Sequence, residues 1–275
     1  MTEVSLPRWR TGTVPSGGED IYYEVVEGDA PQSTVVLSHG AGGSHAVWYQ
    51  QVVALAAARY RVVTWDARGF GNSTYRTGEH GAAVSAADLG AVLDATDTAD
   101  AHLVGQSMGG WWVTTFALEH ADRARSIVLT NTVGGLWTDD LLAQFKDYMR
   151  TARADAQARA GTHPALGEER TTDNLAHAFL YQQLNTFHSP PLLEIATALV
   201  ATRYAHEDLR ALGVPTLVVT GSEDPIFSAR HVRKCAALLD AELVEIIGAG
   251  HSAYWEHPDQ YNAALFAFLE EVDAR

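Results

Sequence analysis

Short runs rich in apolar and β-branched residues recur along the chain at 34–38, 60–65, 101–105, 125–130, 216–220 and 241–247, the first of them the most uniformly apolar. Runs of this length without alternation are the pattern of strands covered on both faces, as in a parallel sheet. Longer segments of helical composition separate them, at 45–57, 84–95, 108–120, 228–239 and 258–272. Strand and helix in alternation predict an α/β fold built on a mainly parallel sheet. Ahead of this pattern, residues 9–14 and 21–26 flank Pro15-Ser16-Gly17-Gly18, the turn chemistry of a β-hairpin.

The alternation stops between about 133 and 208. No β-rich run occurs there; segments 139–159, 172–183 and 192–204 read as helices, punctuated by Gly161, Pro164 and Pro190-Pro191. The expected organisation is a core from 1–132 and 209–275, with a helical cap at 133–208 over the sheet's C-terminal edge.

Composition narrows the function classes. With 19 basic and 34 acidic residues the chain carries a net charge of −15, the wrong sign for nucleic acid or an anionic membrane surface. No apolar stretch approaches the roughly 18 residues of a membrane span. A single cysteine, Cys235, excludes an internal disulfide, and the first ten residues lack the apolar run of a secretory leader. A cytoplasmic protein is expected, as a monomer or homodimer.

The chemistry centres on Gly105-Gln106-Ser107-Met108-Gly109, read G-x-S-x-G, with an apolar strand before it and a helix after it. Such a sharp strand-to-helix turn lifts the serine hydroxyl above the sheet edge and leaves room for little beyond glycine two positions either side. The amide of Met108 then faces the place where an oxyanion would form. Serine needs a base, and histidine titrates in the right range. Of twelve histidines, His251 lies in a glycine-flanked loop after the last strand, where catalytic groups of open α/β sheets gather. His257, before Pro258 at a helix start, reads as structural. The imidazole needs an orienting carboxylate. Asp224, after the strand at 216–220, is that candidate and Glu223 the fallback; the loop after the strand at 125–130 offers only Thr130-Asn131-Thr132.

The order Ser107, Asp224, His251 resembles the α/β-hydrolase superfamily. The likeness spans nearly the whole chain: His39-Gly40, the loop Asp66-Ala67-Arg68-Gly69-Phe70-Gly71, the serine turn, and the Asp224 and His251 loops. It implies an eight-stranded, mostly parallel sheet and an oxyanion hole formed by the Ala41 and Met108 amides, with His39 and Asp66 fixing loops. Dehalogenases and epoxide hydrolases of that fold use an aspartate where Ser107 stands, so both are set aside.

The expected reaction is hydrolysis of a small, largely apolar carboxylic ester or lactone, in the manner of capped esterases and 3-oxoadipate enol-lactonases. Carbon–carbon hydrolysis of the meta-cleavage type ranks second, because Ser252 and Gln106 stand where those enzymes carry Trp and often Asn. Perhydrolase or haloperoxidase chemistry uses the same three residues, and a non-catalytic receptor is a further alternative. Gly40, Trp137, Phe145, Tyr148 and Phe179 are expected at the substrate, the aromatics drawn from a set that also holds Trp111, Trp112, Tyr181 and Phe187, of which about a third should touch it. No cofactor is expected; the histidines lack H-E-x-x-H spacing and there is no cysteine pair, so no metal is expected either.

Overall fold

The computed structural model describes residues 7–28, 30–151, 163, 165–167, 174–187 and 189–275. Eight strands form one sheet in the order β1-β2-β4-β3-β5-β6-β7-β8. They are β1 (Arg8–Ser16), β2 (Glu19–Glu27), β3 (Thr34–Ser38), β4 (Arg61–Trp65), β5 (Ala101–Gln106), β6 (Ala124–Thr130), β7 (Thr216–Gly221) and β8 (Glu242–Ile246). β1 and β2 run antiparallel; β3 to β8 are mutually parallel.

The hairpin is tighter than the sequence suggests. Pro15 and Ser16 belong to β1, paired with Asp20 and Glu19, and the turn is Gly17-Gly18 alone. Both have positive φ, +53° and +87°, as a two-residue turn matched to strand twist requires. Pro15 is tolerated because β1 is an edge strand and needs ladder partners on one side only.

The continuous apolar runs are explained by two cores. Val36, Leu103, Ile127 and Val218 point to one face, where α2 (Ala82–Ala95), α3 (Met108–Glu119) and α8 (Ala229–Leu239) pack. Val35, Leu37, Val104, Val128 and Val219 point to the other, against α1 (Tyr49–Ala57) and α10 (Pro258–Asp273). All six residues of β5 are buried, so the strand that carries the serine has no solvated face.

Between β6 and β7 the described residues contain helices and no strand: α4 (Asp139–Thr151), α5 (Leu175–Leu184), α6 (Leu192–Ala201) and α7 (His206–Ala211). Of the helical segments read from sequence, 152–159 and 172–173 lie outside the described residues, as do Gly161 and Pro164. α7 begins before the expected boundary at 209, and its Leu209 already joins the sheet's core. A short helix after the His251 loop, α9 (Ala253–Glu256), was also not apparent in the sequence. No described helix is long and apolar enough to cross a membrane.

Candidate active site

The site is assembled where β5, β6, β7 and β8 end. Ser107 joins β5 to α3 with φ +48° and ψ −117°. That conformation costs a non-glycine residue about 1–3 kcal/mol and persists only where its surroundings over-determine it. Here the Ser107 amide donates to the Thr130 carbonyl at 3.0 Å, and the Ser107 carbonyl accepts from the Gly110 amide at 3.0 Å and the Thr132 hydroxyl at 2.7 Å. A Cβ on Gly105 would sit 2.5 Å from the Gly109 carbonyl oxygen, and one on Gly109 would collide with the backbone oxygen of Ser38. Both glycines are therefore steric requirements of the turn.

Asp224 follows β7 and is 4% exposed. Its Oδ1 accepts the Ile226 and Phe227 amides at 2.8 and 2.9 Å, which fixes the carboxylate's orientation. Its Oδ2 accepts from His251 Nδ1 at 2.9 Å and from Asn131 Nδ2 at 3.0 Å. With Nδ1 donating, Nε2 of a neutral His251 is left unprotonated, the form a general base requires. Glu223, the fallback, is exposed, and the carboxylate bonded to His251 is that of Asp224.

His251 is held from three directions. Gln106 Nε2 donates to its carbonyl at 3.0 Å. Asn131 Nδ2 donates to the Gly250 carbonyl at 3.0 Å, while Asn131 Oδ1 accepts the Ala253 amide at 3.3 Å. Glu256 Oε1 accepts the amides on either side of His251, Gly250 at 3.0 Å and Ser252 at 3.2 Å, and its Oε2 accepts the Gly167 amide at 2.7 Å. Burial of Glu256 without a cation raises its pKa, and the three amides only partly offset this.

Ser107 and His251 line one cavity of 240 Å³. Among the described residues the Ser107 hydroxyl makes no hydrogen bond, and none joins it to His251. Hydrogen bonds of a reactive site are often long in the unliganded protein and tighten only around a bound molecule. Ala41 lines the same cavity, and neither its amide nor that of Met108 at the first turn of α3 has an acceptor among the described residues. His39 is fully buried and committed: Nδ1 donates to the Gly40 carbonyl at 2.8 Å and Nε2 accepts the Ala67 amide at 3.1 Å. Burial lowers its pKa, so it stays neutral and structural. Asp66, also fully buried, takes the His45 amide and ring at 2.6 and 2.9 Å and the Asn72 amide at 2.8 Å. Burial raises its pKa, but these bonds and the His45 charge outweigh that and lower it overall.

Phe145, Tyr148 and Tyr181 line the cavity, three of the eight aromatics considered from the sequence. Three expected substrate contacts do not. Trp137 packs behind Phe145 and Phe227, at 5.3 and 6.0 Å between ring centroids, and spends its indole N–H on the Leu199 carbonyl. Phe179 lies on the outer side of α5 and is 44% exposed, because Ala178 and Tyr181, one turn apart, take the inward face. Gly40 is clearance rather than contact: a Cβ there would strike the Gln106 side chain and lie 3.1 Å from Ser107 Cβ.

Sequence reasoning missed the roles of Gln106, Asn131 and Glu256, and did not single out His163, which also lines the cavity. Asn131 had a visible signal. An asparagine directly after a strand suits the left-handed backbone found there, φ +49°.

Residues 33–258 match the family described as alpha/beta hydrolase fold. The chain is 28% identical over 259 residues to 3-oxoadipate enol-lactonase 1 of Acinetobacter baylyi, covering 90% of this chain and 92% of that protein. It is 30% identical over 280 residues to a 2-hydroxy-6-oxononadienedioate/2-hydroxy-6-oxononatrienedioate hydrolase of Paraburkholderia phymatum, covering 93% of each. Among solved structures, a bromoperoxidase from Bacillus anthracis superposes with a TM-score of 0.80 at 25% identity, over 95% of this chain and all of that one. A serine at a strained strand–helix turn, the Asp224–His251 pair and the sheet order accord with this match, and the chain belongs to the α/β-hydrolase fold family.

Proposed function

We propose that this hydrolase cleaves a small carboxylic ester or lactone through an acyl-enzyme on Ser107. The observation that carries the reading is the Asp224–His251 bond of 2.9 Å beside a cavity that also opens on the strained Ser107. His251 Nε2 takes the Ser107 proton as Oγ attacks the carbonyl carbon. The tetrahedral oxyanion is received by the Ala41 and Met108 amides, each worth about 2.7–4 kcal/mol in comparable sites. His251 then protonates the leaving alcohol, and a water activated by the same nitrogen releases the acid. Asp224 keeps the proton on Nδ1 and balances the imidazolium.

Ser107→Ala should reduce ester turnover by about 10⁴-fold or more, since without the nucleophile only the oxyanion hole and substrate binding still act on the carbonyl. A fluorophosphonate should label Ser107 in the wild-type protein. Undiminished turnover in Ser107→Ala would overturn the assignment.

A second reading, hydrolysis of a carbon–carbon bond, is supported by the match to the Paraburkholderia hydrolase. Against it, Ser252 directly follows His251, and its hydroxyl is bonded to Tyr181 at 2.7 Å. Turnover of a vinylogous diketone faster than any ester would reverse the order.

A further inference from the structure

The cavity's polar and apolar lining points to a narrower substrate class than the reaction alone. Ile195, Leu199, Ile226 and Phe227 form apolar wall, and among the described lining residues there is no lysine or arginine. A carboxylate, that of Asp224, is held beside the site, on a chain of net charge −15. A substrate carboxylate entering here would lose water without gaining a cation from the described lining residues, which is costly.

Among the described residues, one imidazole besides that of His251 lines this space. His163 accepts the Ala165 amide at Nδ1, 3.1 Å, which places the proton of the neutral ring on Nε2. The ring is braced edge-on by Tyr181, with centroids 5.0 Å apart at 77°. Burial, with the nearby His251 adding to it, pushes its pKa down to about 4. His163 is thus a neutral donor at working pH, and its Nε2–H has no acceptor among the described residues. Tyr181, by contrast, has its hydroxyl committed to Ser252.

Resting on the serine-hydrolase reading above, we propose that the cavity takes an uncharged ester or lactone bearing a second neutral acceptor, such as a ketone, and that His163 binds that oxygen through Nε2–H. The compounds named for the Acinetobacter and Paraburkholderia relatives, 3-oxoadipate enol-lactone and the nonadienedioates, are acids. The carboxylates of such compounds would meet here the neutral His163 donor, with no lysine or arginine among the described lining residues.

The test compares nitrophenyl hexanoate with a set of nitrophenyl oxohexanoates differing in keto position, and with the half-ester of adipate, which ends in a carboxylate. In the wild-type protein the best oxo-ester should exceed plain hexanoate in kcat/KM by about tenfold, the yield of one well-placed hydrogen bond. The anionic half-ester should fall at least about a hundredfold below it. His163→Leu should abolish the oxo-to-plain ratio, and His163→Gln, which retains an N–H donor, should restore much of it; because each variant is read as a ratio, loss of folded protein does not mimic the effect. Equal turnover of the anionic ester, or an unchanged ratio in His163→Leu, would overturn the inference. Fluorophosphonate labelling separates the two levels. Normal labelling of Ser107 without the selectivity sinks this inference alone, whereas no labelling and no ester turnover sinks the serine-hydrolase reading and this one with it.

Discussion

Asp224→Asn replaces a single oxygen by an amide NH₂, and the surrounding bonds dictate where that NH₂ goes. Oδ1 accepts two backbone amides, Ile226 and Phe227, which can only donate. Placing the NH₂ there would set a donor against two donors at about 1–3 kcal/mol each. The amide oxygen of the variant therefore takes the Oδ1 position, and the NH₂ falls where Oδ2 now meets His251 Nδ1 and Asn131 Nδ2. Asn131 cannot turn away, since the same nitrogen serves the Gly250 carbonyl and its oxygen serves the Ala253 amide. His251 can yield, by moving its proton to Nε2 and accepting at Nδ1. An Nε2 that carries a proton cannot take one from Ser107. The expected result is a fall in kcat of about 10⁴-fold, or roughly 5 kcal/mol of transition-state stabilisation, with KM little changed. The remaining donor–donor contact with Asn131 should lower stability by about 1–3 kcal/mol. Steady-state hydrolysis of a nitrophenyl ester measures the first, and a denaturant midpoint the second. A folded Asp224→Asn protein with kcat within tenfold of wild type would show that His251 does not act through this carboxylate.

Asn131→Ala should cost about 2–4 kcal/mol, from three lost hydrogen bonds and from alanine in a left-handed backbone, and should slow ester turnover with Ser107 untouched; full activity would remove Asn131 from the positioning of the site. Glu256 has a raised pKa in the folded protein, so the stability it contributes is present below the ordinary glutamate value and is lost as pH rises through its folded value. Glu256→Gln keeps the acceptor for Gly250 and Ser252 but sets an NH₂ against the Gly167 amide, so its melting temperature should gain on wild type as pH rises above about 4.5; a difference independent of pH would refute this. Arg68→Leu should destabilise by about 3–5 kcal/mol, because it strands the fully buried Asp88 that now receives two bonds of 2.7 Å; urea unfolding decides it.

Much of this architecture is local and was written in the chain. Buried parallel strands must be apolar on both faces, so β3 to β7 were readable as runs, and the Gly105-Gln106-Ser107-Met108-Gly109 turn was readable because only glycine fits where a Cβ would strike backbone. The pairing of Asp224 with His251 could be expected from their loops because loops at the C-terminal ends of neighbouring parallel strands converge. Contacts among the inserted helices were not readable in this way. α5 carries large apolar residues on several sides, so its sequence does not say that Tyr181 faces the cavity and Phe179 faces out. Trp137 lost its expected place because Phe145 and Phe227 fill the layer in front of it. Asn131 and Glu256 became legible only through bonds to loops distant along the chain, since a side chain's partners across 89 to 122 positions are set by how elements pack and not by its neighbours in sequence.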